Sequence, residues 1–211
     1  LLPQELTRGK EVISTGMKGE IKRCQMAIEA ALQDRKTCIV SSGDPGIYAM
    51  AGLVFELIKE MKVQDILEVE VVPGLPAFVA AAALLGAPLM HDFAVISLSD
   101  LLTPWQVIEK RLQAALQADF VLVLYNPKSR KRDWQLDVAL QMVRKYRGDQ
   151  AVVGVVRNAT RDGQEVWATR AAGIDTSKID MLTILIVGNS TTHLMNSRMV
   201  TPRGYLEKYR P

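Results

Sequence analysis

Apolar runs alternate with amphipathic stretches through the first half of the chain. Between residues 17 and 33, apolar side chains recur at helical spacing among charged ones, which predicts a helix with one buried face. The predicted helices of this half are 17–33, 46–61 and 76–85. The predicted strands are 11–14, 37–42 and 68–72. This alternation predicts a parallel sheet with helices on its faces.

The second half repeats the alternation and then adds strands with no helix between them. Its predicted helices are 104–117 and 133–146. Its predicted strands are 94–98, 120–125, 151–156, 165–170 and 183–188. Because the last three strands follow one another without an intervening helix, this half predicts a mixed sheet.

The run Gly86-Ala87-Pro88 interrupts the pattern, and we expect a domain boundary shortly after it. The expected fold class is α/β with two α/β domains. The N-terminal domain, 1–92, would contain the parallel sheet and the C-terminal domain, 93–211, the mixed sheet. A cleft between the two domains is expected to hold the ligand.

Composition narrows the class of protein. The 211 residues are 48% hydrophobic and 23% charged, as in an ordinary globular protein, and the net charge is +3. That mild positive charge fits an acidic small molecule better than a nucleic acid, which draws a concentrated basic face. No apolar run reaches the roughly 20 residues of a membrane span, so we expect no membrane partner.

Cysteine and histidine are too few for a structural metal site. The chain has two of each, and Cys24 and Cys38 have neither disulfide-framework nor metal-ligand spacing. We therefore expect no metal and a reducing, cytoplasmic environment.

Small and polar residues follow several of the predicted strands. In open α/β sheets, ligands bind beyond the carboxyl ends of the strands. The candidate loops are Ser42-Gly43-Asp44-Pro45-Gly46, Pro73-Gly74-Leu75-Pro76, Tyr125-Asn126-Pro127, Arg157-Asn158-Ala159-Thr160 and Gly188-Asn189-Ser190. None carries the phosphate-binding lysine of a Walker loop or the glycine spacing of a dinucleotide fingerprint.

Asp44 has two open interpretations. A carboxylate at a helix start repels phosphate but suits a hydroxyl group or a cation. S-adenosylmethionine offers ribose hydroxyls, an ammonium and a sulfonium, so it is a permitted ligand. Alternatively, Asp44 caps the helix that follows.

Two further groups are candidates for substrate chemistry. The basic run 128–132 contains Lys128, Arg130 and Arg132. It is either a solvated loop or a binding site for a multiply charged anion. The second group is expected near the domain boundary and the next strand end. Its members are His91, Asp92, Ser99 and Asp100. Histidine titrates near neutral pH and suits a general acid or base, whereas Ser99 and Asp100 have helix capping as their ordinary role.

Several motifs occur in an order that resembles a known family. They are SSGDPGIYAMAG, VVPGLPAFVAAAALLGAPLMHDF, SLSDLLTPW, LYNPKSRKR, GVVRNATRDGQEV and ILIVGNSTT. Over nearly the whole chain, they resemble the precorrin-3B C17-methyltransferases and their cobalt-precorrin-3 counterparts. The GDP loop and VPG turn are shared by all tetrapyrrole-type methyltransferases, whereas HDF…SLSDLLTPW and LYNP…R with VGNS are more specific to this branch.

The resemblance implies S-adenosylmethionine as cofactor, S-adenosylhomocysteine as its product, a tetrapyrrole substrate and a homodimer. It also implies a set of cofactor contacts, made largely through backbone groups. These residues are Gly43, Asp44, Ile47, Leu75, Pro76, Ala77, Tyr125, Asn126, Asn158, Ala159, Thr183, Ile184 and Leu185.

The implied reaction is methylation of C17 with contraction of the ring, in cobalamin biosynthesis. His91, Asp92, Ser99 and Asp100 would then handle protons, and the basic run would bind the substrate's carboxylates. Whether the substrate contains cobalt stays open. The family also begins with a strand and a G-x-G-P-G-D turn that this sequence does not contain. We therefore expect about one βα unit to be missing and the first sheet to be less stable.

Two alternatives remain. One is another tetrapyrrole-type methyltransferase, acting on a different precorrin position, on diphthine or on ribosomal RNA. The other is a nucleotide-binding module without catalysis.

Overall fold

The chain forms two compact units in a computed structural model that describes residues 3–16 and 19–209. The first unit ends at Pro76 and the second begins at Ala77. The helices of the first unit are α1 (Gln4–Thr7), α2 (Glu20–Ala31) and α3 (Ala51–Glu60). The expected start of α2 at residues 17 and 18 lies outside the described residues.

Helices α2 and α3 pack together and form the core of the first unit. The buried side chains come from one face of each helix, as the apolar spacing predicts. They are Cys24, Ile28, Val54, Leu57 and Ile58. Partly buried Ile39 and Leu67 extend this cluster into the segments that follow each helix.

The three segments expected as strands in this unit are not paired strands in the described residues. Residues 11–14, 37–42 and 68–72 have no ladder hydrogen bonds, and Val12, Val40 and Val72 are exposed. A strand exists only through bonds to a neighbour, so an apolar β-type pattern alone does not produce one. The expected N-terminal parallel sheet is therefore not assigned in this part of the chain.

The second unit contains the remaining elements. They are α4 (Ala77–Leu85), β1 (Gly86–Ala87), β2 (Phe93–Ser97), α5 (Trp105–Gln117), β3 (Val121–Tyr125), α6 (Trp134–Arg147), β4 (Val152–Arg157), β5 (Glu165–Arg170), β6 (Thr183–Val187), β7 (His193–Met195), β8 (Arg198–Val200) and α7 (Tyr205–Tyr209). Two short 3-10 turns, Ala171–Gly173 and Thr176–Lys178, lie between β5 and β6.

A five-stranded mixed sheet in the order β2-β3-β6-β4-β5 forms the centre of this unit. Strands β2 and β3 are parallel, and β6 is antiparallel to both β3 and β4. Consequently β2, β3 and β4 run in one direction and end at one edge. The expected mixed sheet is confirmed. A smaller sheet has the order β1-β8-β7.

The second unit starts earlier than the boundary expected between residues 92 and 93. Helix α4 packs against β4, β5 and β6, and Leu85 at its end is buried. Gly154 in β4 makes room for this helix, because a Cβ there would lie 2.4 Å from Leu85 Cδ1. The packing of α4 on the central sheet therefore ties residues 77–92 to the second unit. The domain division itself stays a prediction.

Candidate functional site

In the first unit, Asp44 joins two of the predicted ligand loops. Its Oδ1 accepts a hydrogen bond from the backbone N of Gly46 at 2.8 Å, and its Oδ2 accepts one from the N of Gly74 at 3.0 Å. The loop 42–46 and the turn 73–76 are thus held together by one carboxylate. Each carboxylate oxygen can accept a second hydrogen bond, so acceptor capacity remains for a ligand.

The interpretation of Asp44 as a helix cap is wrong. Helix α3 begins at Ala51, and its N-cap is Met50. Asp44 lies too far before that helix to accept from its first amides. Its two backbone partners belong instead to its own turn and to the turn at Gly74. Asp44 therefore holds two turns together, and the spacing of residues along the chain could not indicate this role.

The same two loops touch through their backbones. A Cβ on Gly74 would lie 2.3 Å from the carbonyl O of Gly43, and Gly43 itself has φ +80°. The carbonyl O of Leu75 lies 3.7 Å from the position of a Cβ on Gly43. Three predicted contact residues of this unit, Gly43, Asp44 and Leu75, are therefore neighbours, and Ile47 bonds back through its N to Asp44 O at 3.3 Å.

In the second unit, the edge at which β2, β3 and β4 end collects predicted residues from separate segments. Ser97 lies opposite Tyr125 at the ends of β2 and β3. Arg157 at the end of β4 lies opposite Thr183 at the start of β6 and opposite Glu165 at the start of β5. We name this the carboxyl edge.

Tyr125 and Asn126 are both fixed at the carboxyl edge. The Tyr125 hydroxyl accepts a hydrogen bond from the N of Phe78 at 3.2 Å, at the start of α4, so Ala77 also lies near this edge. Asn126 has φ +50° and donates from Nδ2 to Ser97 Oγ at 2.9 Å. Asparagine tolerates this left-handed conformation better than most residues.

The turn after β4 is conformationally strained. Asn158 has φ +50° and Thr160 has φ +59°, which is uncommon for a β-branched residue. Asn158 donates from its N to the O of Leu182 at 3.0 Å, and Thr160 N donates to Gln164 Oε1 at 2.8 Å. Such strain persists only where the surroundings hold it, and it clusters at functional sites.

The three predicted contacts in β6 are buried within the sheet. Thr183, Ile184 and Leu185 have almost no exposed side-chain surface, and Leu185 pairs with Leu124. Tyr125, Asn126, Asn158 and these β6 residues therefore share one region, as the resemblance implies.

Sequence reasoning missed an ion-pair network at the same edge. Arg157 Nε donates to Asp180 Oδ2 at 2.9 Å, and its Nη1 donates to Glu165 Oε1 at 3.1 Å. Burial favours the neutral form of Asp180, but hydrogen bonds from Arg157, Leu182 N and Thr183 outweigh it and lower the pKa of Asp180. The same Asp180 bond raises the pKa of Arg157. No motif pointed to Asp180, because its charged partner Arg157 is 23 residues away in sequence.

Arg132 does not occupy the position expected of a substrate ligand. Its side chain is buried, and Nη1 donates to the carbonyl O of Leu98 at 3.2 Å and of Asn126 at 2.5 Å. Nη2 lies 3.5 Å from Met181 Sδ. Burial lowers the pKa of Arg132, and the charge of Asp100 opposes that shift. Arg132 therefore connects three loops of the carboxyl edge, and its Nη1 and Nη2 donate within the protein.

The other cations of the basic run are less buried than Arg132. Lys128 is partly buried and donates to the O of Thr176 at 3.3 Å, while Arg130 and Lys131 are exposed. The N of Ser129 donates to the O of Arg132 at 2.7 Å, which closes the run into a tight turn. These cations remain available to an anion at this edge.

The four candidates for proton handling are split between opposite ends of β2. Ser99 and Asp100 follow the strand at the carboxyl edge, where Asp100 Oδ2 accepts from Gln135 Nε2 at 2.8 Å. His91 and Asp92 precede the strand, and five residues separate Asp92 from Leu98. At about 3.3 Å per residue the two ends lie about 20 Å apart. Of the four, the structure thus brings only Ser99 and Asp100 to the carboxyl edge and to the predicted contact residues of the second unit.

Neither a metal cluster nor a membrane helix appears in the residues that the structure describes. Over 3–16 and 19–209, no group of histidine, cysteine, aspartate and glutamate side chains is placed to hold a metal ion. Within the same ranges no helix combines the length and apolar character needed to cross a bilayer.

Known protein families and relatives match most of the chain. The family described as Tetrapyrrole (Corrin/Porphyrin) Methylases matches residues 4–175. A probable cobalt-factor III C(17)-methyltransferase from Salmonella typhimurium is 51% identical over 204 residues. The match covers 97% of this chain and 84% of the length of that protein. A cobalt-factor III methyltransferase from Priestia megaterium is 47% identical over 210 residues. The match covers 99% of this chain but only 39% of that longer protein. A precorrin-3B C(17)-methyltransferase from Sinorhizobium is 38% identical, over 92% of this chain and 78% of its own.

Solved structures share the fold. The crystal structure of the methyltransferase CobJ matches with a TM-score of 0.88 at 35% identity, over 92% of this chain and 82% of its own. The cobalt precorrin-4 methyltransferase CbiF matches with a TM-score of 0.64 at 20% identity, over 89% of this chain and 80% of its own, and supports the fold alone. The expected α/β fold class is therefore confirmed.

Proposed function

Because this chain belongs to the tetrapyrrole (corrin/porphyrin) methylase family, we propose that it methylates C17 of a cobalt-factor III substrate and contracts the ring. The observation that carries the proposal is the 51% identity over 97% of the chain to a probable cobalt-factor III C(17)-methyltransferase. Identity to the precorrin-3B enzyme of Sinorhizobium is lower, 38%. This difference favours the cobalt-containing substrate.

We further propose S-adenosylmethionine as the methyl donor, with S-adenosylhomocysteine released. The cofactor supplies an activated methyl group when bound, so the methyl transfer itself needs no nucleophile from the protein. The chemistry of the candidate loops fits it. Asp44 offers a carboxylate for hydroxyl or cationic groups, and the glycines at 43 and 74 allow close backbone approach.

The residues of the second unit would position the reactants. Tyr125, Asn126 and Asn158 are held rigidly, the last two in left-handed conformations. Methyl transfer from a sulfonium is an in-line displacement, so rigid placement and exclusion of water are what the protein contributes. Ser99 and Asp100 are the candidates that remain at this edge for moving the proton of the ring contraction.

The test is incubation of the protein with cobalt-factor III and a methyl-labelled donor, with precorrin-3B in parallel. Mass spectrometry and absorbance spectroscopy should show one added methyl group and a contracted ring for cobalt-factor III, at a higher kcat/KM than for precorrin-3B. Preference for precorrin-3B would reverse the substrate assignment. If the protein methylates neither of these two substrates but methylates another tetrapyrrole, it is a different member of the family. Binding of the donor without transfer to any of them would point to a non-catalytic module.

Replacement of Asp44 by alanine should weaken binding of S-adenosylhomocysteine at least about tenfold. The change removes the carboxylate and releases the turn at Gly74, so both a ligand contact and the shape of the loop are lost. Isothermal titration calorimetry measures this directly. Asp65→Ala, at an exposed carboxylate of the same unit, is the matched control and should bind normally. Unchanged affinity in the Asp44 variant would remove it from the site.

Neutralising Lys128 and Arg130 together should raise the KM for the tetrapyrrole about tenfold and alter kcat less. Arg130 is exposed and Lys128 is partly buried, and both would pair with substrate carboxylates, each pair contributing roughly 0.5–1 kcal/mol. Steady-state kinetics of Lys128→Met/Arg130→Met provides the measurement. Lys110→Met/Arg111→Met on the exposed surface of α5 is the control. An unchanged KM would show that the run is a solvated loop.

We also propose that the protein is a cytoplasmic homodimer, as the family resemblance implies. Light scattering of the purified protein tests the oligomeric state. A monomer at working concentration would count against the dimer.

A further inference from the structure

Two adjacent leucines at the carboxyl edge are almost fully exposed. Leu101 is 85% exposed and Leu102 is 98% exposed, although Leu98, just before them, is completely buried. They belong to residues 98–104, which connect β2 to α5 and which we name the leucine loop. Two neighbouring apolar side chains in water at the edge of a predicted ligand site are unusual enough to need an explanation.

The leucine loop is anchored on both sides of the exposed pair. On one side, Leu98 N donates to the O of Tyr125 at 2.9 Å, and Asp100 Oδ2 accepts from Gln135 at 2.8 Å. On the other side, the rings of Trp105 and Trp134 meet edge to face with centroids 4.9 Å apart. An anchored loop loses little further conformational entropy when a ligand covers it.

Cationic side chains lie beside the leucine loop, which itself carries the carboxylate of Asp100. Arg132 bonds to the carbonyl oxygens of both Leu98 and Asn126, so the leucine loop lies directly beside the basic run 128–132. In that run Arg130 is exposed, and Lys128, which donates to the O of Thr176 at 3.3 Å, is partly buried. An apolar surface flanked by cations is complementary to a flat molecule with an apolar face and carboxylates around its rim.

We infer that Leu101 and Leu102 are specificity residues that contact one face of the tetrapyrrole macrocycle, while Lys128 and Arg130 bind its peripheral carboxylates. This inference rests on the proposed function and adds the surface that selects the substrate. A second copy of the chain is a less suitable occupant. A two-fold axis through this surface would bring the same cations of both copies together.

The experiment compares Leu101→Ser/Leu102→Ser with the wild-type protein. Two ligands are used as probes: cobalt-factor III in turnover, and uroporphyrin III, a stable polycarboxylate tetrapyrrole, in absorbance titrations. We expect the KM for cobalt-factor III and the Kd for uroporphyrin III to rise about tenfold or more, since each lost apolar contact of this size weakens binding by about that factor. Binding of S-adenosylhomocysteine, measured by calorimetry, should stay unchanged.

Two matched variants separate apolar contact from general damage. Leu101→Met/Leu102→Met keeps the apolar surface and should retain tight binding of uroporphyrin III. Leu206→Ser removes a leucine that is 68% exposed on α7 and should change neither KM nor Kd.

Three outcomes would overturn the inference. They are an unchanged Kd for uroporphyrin III in the serine variant, an equal loss of S-adenosylhomocysteine binding, and a change of oligomeric state in light scattering. The last would assign the leucines to contact with a second copy. A wild-type protein that binds uroporphyrin III but methylates no tetrapyrrole would refute the proposed function, while the titrations would still test the leucines.

Discussion

Replacement of Arg132 by methionine should destabilise the second unit by about 3–4 kcal/mol and raise the KM for the tetrapyrrole. Methionine fills a similar volume but donates no hydrogen bonds, so the carbonyl oxygens of Leu98 and Asn126 lose a charged partner. A buried acceptor left without a donor costs about 1–3 kcal/mol. The leucine loop and the basic run would then lose their connection, which links the stability effect to substrate binding.

Denaturant unfolding followed by tryptophan fluorescence measures this effect. All three tryptophans of the chain lie in the second unit, at 105, 134 and 167, and Trp105 and Trp134 flank the affected loops. Lys131→Met, at the exposed neighbour, should change the free energy of unfolding by less than about 0.5 kcal/mol. Arg132→Lys should be intermediate, because an ammonium does not reproduce the planar fork. Normal stability in the methionine variant would show that the buried guanidinium does not hold the loops.

Replacement of Gly74 by alanine should lower the stability of the first unit by about 3 kcal/mol and weaken cofactor binding. The new Cβ would lie 2.3 Å from the carbonyl O of Gly43 and 3.3 Å from Asp44 Cα. Both contacts are with backbone atoms, so no side chain can rotate away and the two loops must separate. Separation would also break the bond from Gly74 N to Asp44.

Differential scanning calorimetry and titration with S-adenosylhomocysteine provide the measurements. Gly52→Ala is the matched control within the same unit, because a Cβ there meets no atom within 4 Å. Gly52 is the second residue of α3, where alanine is a better helix former than glycine, so this control should not lower the stability. Equal behaviour of the two alanine variants would contradict the close approach of the loops.

Local pattern predicted most of the second unit correctly. Strand β5 occupies the residues expected of it, and α4, α5 and α6 begin within a residue of their predicted starts. The elements of this unit can be predicted from their own residues. The helices have apolar residues at helical spacing, β5 alternates apolar and polar residues, and the buried strands are continuous apolar runs. The resemblance predicted cofactor contacts at several strand ends, and the mixed sheet brings Tyr125, Asn126, Asn158 and Thr183 to one edge.

The hydrophobic pattern alone could not establish the strands expected in the first unit, because strand pairing requires hydrogen bonds between two segments. Residues 37–42 have the composition of a buried strand, yet Cys38 and Val40 are exposed and belong to no β-ladder. The role of Arg132 was missed for a similar reason. A run of five residues with four cations looks solvated or ligand-binding, and only the packed loops show which cation turns inward.

By itself, the sequence determined the class of protein, the five helices α2 to α6, the strands of the central sheet and the family, because each depends on local periodicity or on motifs. Only the tertiary structure decided the rest. It placed the Asp44 carboxylate between two turns, separated His91 and Asp92 from Ser99 and Asp100 by the length of β2, and buried Arg132 beside two exposed leucines. The physical reason is that these features depend on which distant segments become neighbours, and on which side of a loop each side chain finds a partner.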